Sequence, residues 1–247
     1  MLRTMLTAAI ALAATPALAG ETVSYEVNGE AYEGYLAMPA GEPAGLVLVI
    51  HDWDGLGEYE ERRADMLAEL GYAAFAADLY GAGNRPQETE AKKAETAALY
   101  EDREAMRARI LGGLATAREQ AGELPAVVMG YCFGGAATLE LARSGAAEDV
   151  VGYTTFHGGL STPAGQSWDG VDDFVLVAHG GADSAITLDD VAQLGRELED
   201  AGTPYEIQIY SGAPHAFTVF GSDRYRERAD TESWAAFTDL LAERFDG

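Results

Sequence analysis

Cys132, the only cysteine in 247 residues, stands in Gly130-Tyr131-Cys132-Phe133-Gly134-Gly135, directly after the apolar run Leu124-Pro125-Ala126-Val127-Val128-Met129. A glycine-x-nucleophile-x-glycine pentapeptide at the end of a buried strand permits a tight strand-to-helix turn that holds the middle side chain up. A free cysteine is also a common packing residue, so the rest of the chain must decide between the two. A reactive thiol needs a base, and the base needs an orienting acid. Both follow downstream in the order nucleophile, acid, histidine. Asp183 closes the loop His179-Gly180-Gly181-Ala182-Asp183, and His215 lies in Ser211-Gly212-Ala213-Pro214-His215-Ala216-Phe217.

Asp189 and Asp190 compete with Asp183 for the acid role. They fall in the first turn of an expected helix, where carboxylates serve the helix end, so Asp183 is the better orienter. The remaining histidines, His51, His157 and His179, each sit at a strand end and read as structural groups. They have no close ligand spacing, and with the single thiol assigned to catalysis no metal site is expected. No cofactor is expected either.

The elements that must position these residues alternate. Glu21 to Val27 and Ala31 to Met38 read as an antiparallel pair around Asn28-Gly29. Gly45 to Ile50 is a continuous apolar run of the kind covered on both faces. A helix over Glu58 to Leu70 ending at Gly71, a strand over Tyr72 to Ala77, and a long helical region from about Glu88 to Gln120 follow. Strands at Leu124 to Met129, Val150 to Phe156, Phe174 to Ala178 and Tyr205 to Tyr210 are interleaved with helices opening at Cys132, at Thr187 and at Thr231. Small insertions are expected around Gly81 to Pro86 and Ser161 to Gly170. This alternation predicts an α/β three-layer sandwich on a mostly parallel sheet, with the site outside the carboxyl ends of the strands.

Residues 1–19 carry one early positive charge, an apolar segment from Met5 to Ala14 and Ala17-Leu18-Ala19 before Gly20. That is the pattern of a secretory signal peptide cut after Ala19. It predicts a secreted or periplasmic protein of about 228 residues, residues 20–247, forming one domain without a membrane span or an intramolecular disulfide. A monomer is expected. Lys and Arg number 16 against 41 Asp and Glu, a net charge of −25, which disfavours nucleic acid and anionic membrane partners. The acids in Glu58 to Glu69 and Glu88 to Glu104 read as solvated helix faces.

Gly130 to Gly135, Asp183 and Pro214-His215-Ala216-Phe217 together resemble the dienelactone hydrolase family of α/β-hydrolases. So do Leu36-Ala37-Met38-Pro39, Gly71-Tyr72 and Ala77-Asp78-Leu79-Tyr80-Gly81, and the similarity spans the chain after the leader. The resemblance implies an α/β-hydrolase fold and a Cys132-Asp183-His215 triad cleaving a small carboxylic ester or lactone through an acyl-enzyme. It implies backbone N–H groups of Phe133 and Trp53 as the oxyanion hole. Asp52 falls where lactonase members carry a glutamate that contacts the thiol. Members acting on dienelactone use two arginines for the substrate carboxylate; Arg85 matches the first with a shifted loop, and Val219 occupies the region of the second. Trp53, Tyr80, Tyr131, Phe217 and Phe220 are expected near strand ends as pocket residues, and the helix start after Cys132 is expected to favour the thiolate. Two rival readings are a catalytically weak member that binds a small ligand, and a thiol-redox protein, which lacks a resolving cysteine.

Overall fold

The computed structural model describes residues 20–245; the expected leader and its cleavage point lie outside them. Eight strands form one sheet: β1 (Glu21–Val27), β2 (Glu30–Ala37), β3 (Leu46–Ile50), β4 (Ala73–Ala77), β5 (Ala126–Tyr131), β6 (Val150–Phe156), β7 (Phe174–Gly180) and β8 (Tyr205–Tyr210). Their spatial order is β1-β2-β4-β3-β5-β6-β7-β8. β1 pairs antiparallel with β2 and β2 with β4, and every other pairing is parallel. The β1–β2 hairpin turns on Asn28 and Gly29, both at positive φ, which matches the twist of the flanking strands.

Among the described residues six helices cover the sheet: α1 (Glu58–Glu69), α2 (Thr89–Glu101), α3 (Arg103–Ala121), α4 (Phe133–Ser144), α5 (Leu188–Ala201) and α6 (Glu227–Phe245). The central strands β3, β4 and β5 are buried along their whole length, so their side chains alternate between two apolar layers. Leu46, Leu48 and Ile50 join a cluster with α3, α4 and α5, whereas Val47 and Val49 join one with α1 and α6. Burial of each such side chain is worth roughly 1.5–3 kcal/mol. This is the three-layer α/β sandwich on a mostly parallel sheet that the sequence pattern predicts.

Three details differ from expectation. The long helical region is two helices, because Asp102 adopts φ −111° and ψ 79° and its carboxylate accepts the Ala105 N–H at 2.9 Å, ending α2 and capping α3. The last helix starts at Glu227 rather than Thr231. The Glu58 to Glu69 charges are not all solvated, since Glu60 and Arg63 are 2% and 1% exposed. They lie on the face of α1 that also carries buried Ala64 and Leu67.

Candidate active site

The parallel strands all end at one rim, and that rim collects the residues picked out by type. Cys132 follows β5 and precedes α4 with φ 53° and ψ −111°, a left-handed conformation that costs energy for a residue with a side chain. Neighbouring glycines make the turn possible. A Cβ on Gly130 would come 2.2 Å from the Gly134 carbonyl oxygen, and one on Gly134 would come 2.3 Å from that of Ile50. The close approach at Gly134 sets the first turn of α4 against the end of β3. The loop from His51 to Gly57 is thereby brought beside the thiol.

His215 Nε2 is 3.1 Å from Cys132 Sγ, and His215 Nδ1 is 2.8 Å from Asp183 Oδ2. The other oxygen of Asp183 accepts backbone N–H groups of Ala185 and Ile186 at 2.8 and 3.0 Å, which fixes the carboxylate. With Nδ1–H donating to Asp183, Nε2 is left as an acceptor facing the thiol. The structure thus brings together the three side chains selected from 83 and 32 residues apart.

The helix start does not dominate the thiol. Burial pushes the Cys132 thiol up to about 12, the Asp52 carboxyl adds to this, the Phe133 N–H pulls it down, and Asp183 and Asp54 raise it further. The expectation of a stabilised thiolate is therefore corrected: at rest the sulfur keeps its proton and faces His215 Nε2. Burial outweighs one partial charge from the helix.

Asp52, 9% exposed, lies in the loop after β3. Burial, then the Asp54 bond and Glu60, raise its carboxyl to about 9. Burial also acts upward on Asp54, yet its bonds from Asp52 and Lys92 leave it below the usual range. Asp52 is thus the protonated partner and Asp54 the charged one. Glu60 holds this loop from α1, accepting the Gly57 N–H at 3.0 Å and the Asp52 N–H at 3.4 Å.

The three other histidines are buried scaffolding held neutral by burial. His51 ties two strand ends, donating from Nδ1 to the Asp52 carbonyl at 2.6 Å and accepting the Leu79 N–H on Nε2 at 3.1 Å. His157 Nε2 meets Thr218 Oγ1 at 2.8 Å while its ring packs edge-on against His215 at 5.3 Å. His179 Nε2 donates to the Ile186 carbonyl at 3.1 Å.

The expected pocket residues divide. Tyr80 packs on His51 and Phe133, and its hydroxyl donates to the Trp53 carbonyl at 3.2 Å. Tyr131 and Phe217 are fully buried and offer no surface to a ligand. Tyr131 packs on Tyr59 and Phe156, and Phe217 on His157 and Tyr210. Phe220 packs edge-on against Tyr59 under the guanidinium of Arg63. Arg85 is occupied by Asp78 Oδ1 at 3.3 Å and by the carbonyls of Asn84, Gly81 and Glu33. Val219 is half-buried in the turn after Phe217 and Thr218.

One pocket residue was not singled out by sequence. Tyr100, near the end of α2, sets its ring edge-on to Phe133 at 5.5 Å and stays 38% exposed. Its contact is with the residue that follows Cys132, and burial and then the Cys132 sulfur raise its phenol. Its only signal was an aromatic side chain within an Ala- and Glu-rich helix.

Comparison with known proteins agrees with this geometry. The family model described as "Dienelactone hydrolase family" matches residues 32–245. A probable 2-oxo-3-(5-oxofuran-2-ylidene)propanoate lactonase of Bradyrhizobium sp is 28% identical over 238 residues, covering 90% of this chain and 93% of that protein. The carboxymethylenebutenolidase of Pseudomonas putida is 26% identical over 223 residues, covering 87% and 92%. A dienelactone hydrolase-like promiscuous phosphotriesterase from metagenomic libraries superposes with a TM-score of 0.83 at 29% identity, covering 92% of this chain and 99% of that one.

Proposed function

The chain belongs to the dienelactone hydrolase family and is an ester or lactone hydrolase; on that premise we propose that it is exported and works through a covalent acyl-enzyme on Cys132. The observation that carries the mechanism is the unbroken Cys132–His215–Asp183 contact, 3.1 and 2.8 Å. His215 Nε2 takes the thiol proton as Sγ attacks the substrate carbonyl carbon. Charge developing on the carbonyl oxygen is met by the N–H groups of Phe133 and Trp53. The C–O bond to the leaving alcohol then breaks, and the alcohol oxygen takes the proton from His215. Water, losing a proton to the same nitrogen, attacks the thioester; the acid departs and the sulfur recovers its proton.

The raised thiol fits this sequence of events. A thiol that stays protonated at rest is ionised only as the carbonyl arrives, which limits oxidation and stray alkylation. Export rests on the leader-like residues 1–19; among the described residues no helix is long and apolar enough to cross a membrane.

Intact-mass spectrometry of the protein quenched during turnover of p-nitrophenyl acetate tests the chemistry. A single acetyl adduct mapping to Cys132, absent from Cys132→Ala, is the expected result. Turnover retained by Cys132→Ala overturns it.

A further inference from the structure

Among the described residues, the cations beside the aromatic side chains next to Cys132 are already paired. Lys92, on α2 above the Trp53 ring, pairs with Asp54 Oδ2 at 3.2 Å. Arg85 pairs with Asp78, whose side chain is fully buried, and donates to backbone carbonyls as well. Arg103, beside the Tyr100 ring, pairs with the buried Glu140 at 2.9 Å.

The side chains that act on the sulfur itself are carboxyls, Asp52 with its proton retained, Asp183 and Asp54. The walls are aromatic, from Trp53, Tyr80, Tyr100 and Phe133. Among the described residues, the cations beside these walls have no free charge to compensate an anion for its lost hydration, and a clamp on a carboxylate needs a cation with free N–H groups. Breaking Lys92 from Asp54 gains nothing, because it exposes a bare carboxylate beside the freed ammonium. The net charge of −25 adds long-range repulsion.

From these pairings we propose that the pocket selects esters uncharged on both sides of the carbonyl and discriminates against esters or lactones that carry a carboxylate. The inference rests on the hydrolase reading above and narrows its substrate class. Lys92 and Asp54 set the discrimination together: the ammonium is the cation closest to serving a substrate carboxylate, and Asp54 withholds it.

The test compares p-nitrophenyl butyrate with mono-p-nitrophenyl succinate, which share a leaving group and differ in one terminal carboxylate. The succinate is expected to show kcat/KM lower by about tenfold or more at low ionic strength, with the gap shrinking as salt is added. Asp54→Asn should narrow the gap several-fold by raising kcat/KM for the succinate, and Lys92→Met should widen it. If Asp54→Asn does not fold, Lys92→Met decides alone. Equal kcat/KM for the two esters in the wild type, or a gap that Lys92→Met leaves unchanged, overturns the selectivity while leaving the hydrolase intact. Turnover of neither ester, with no adduct on Cys132, overturns the hydrolase reading itself and the selectivity with it.

Discussion

Arg63 on α1 and Asp230 on α6 form an ion pair inside the protein, with side chains 1% and 9% exposed. The same guanidinium donates to the Thr218 carbonyl at 3.0 Å and to the Tyr59 hydroxyl at 3.4 Å. Tyr59 in turn meets Thr218 Oγ1 at 2.7 Å, and that hydroxyl meets His157 behind the His215 ring. One buried charge thus joins two helices to the loop that carries the imidazole.

Removing one partner leaves the other uncompensated in the core. Asp230→Ala should lower unfolding free energy by about 3–5 kcal/mol, seen as a lower urea midpoint at unchanged slope. The double replacement Arg63→Met with Asp230→Leu should recover most of that loss. A change below about 1 kcal/mol in the single variant would show that water reaches the pair.

Replacing the reacting or orienting groups should stop chemistry without unfolding the chain. Cys132→Ala and His215→Ala are each expected to reduce kcat on p-nitrophenyl acetate by about a thousandfold or more. Asp183→Asn keeps an oxygen for the Ala185 and Ile186 N–H groups but loses the charge that sets the imidazole tautomer. Its kcat should fall steeply while circular dichroism stays unchanged.

Stability should decline with pH through the buried carboxyl on α1. Burial raises Glu60 from 4.5 to about 8 against the pull of the Gly57 and Asp52 N–H bonds. The folded state therefore holds a proton that the unfolded chain has released, and ∂ΔG/∂pH is negative from about 4.5 up to about 8. Glu60→Gln, neutral throughout, should flatten that slope in urea titrations at pH 5 and pH 8. A variant with the same slope as the wild type would remove Glu60 from the account.

Resting Cys132 should be a thiol. Because burial and neighbouring carboxyls hold its ionisation above the ordinary value of 9.0, the thiolate ultraviolet band should be absent at neutral pH and should grow only in strong alkali. A full thiolate band near pH 7 would instead indicate a resting ion pair with His215.

The strands were legible because the central ones are apolar runs, as in Leu46 to Ile50, while the edge strand Tyr205 to Tyr210 alternates apolar with polar residues. The triad was legible because nucleophile, acid and histidine each follow a strand-like segment, in glycine-bearing turns and in that order. Glu60 and Arg63 were not, because charged residues on a helix ordinarily mark its wet side. Only their 3.6-residue phase with Ala64 and Leu67 hinted otherwise. The α2–α3 break was hidden for a similar reason: Asp102 lies among helix-forming neighbours, and a cap is defined by its backbone angles rather than its residue type. Tyr131, the last residue of β5, adjoins the site in sequence yet points into a layer, since alternate residues face opposite sides of the sheet, and Phe217, in the turn after β8, is buried against His157 and Tyr210.

Among the described residues five non-glycine positions have positive φ, and three of them, Cys132, His157 and Ala216, lie beside the reacting atoms. The main chain, folded on its apolar layers, has therefore already chosen where the attacking atom sits before any sulfur chemistry is involved. A seat defined that way is indifferent to its tenant: an oxygen nucleophile mounted at the same point would inherit the aim and differ only in how readily it parts with hydrogen. Evolutionary exchange between sulfur-based and oxygen-based hydrolysis is then a matter of tuning acidity on a finished frame, with no new architecture required.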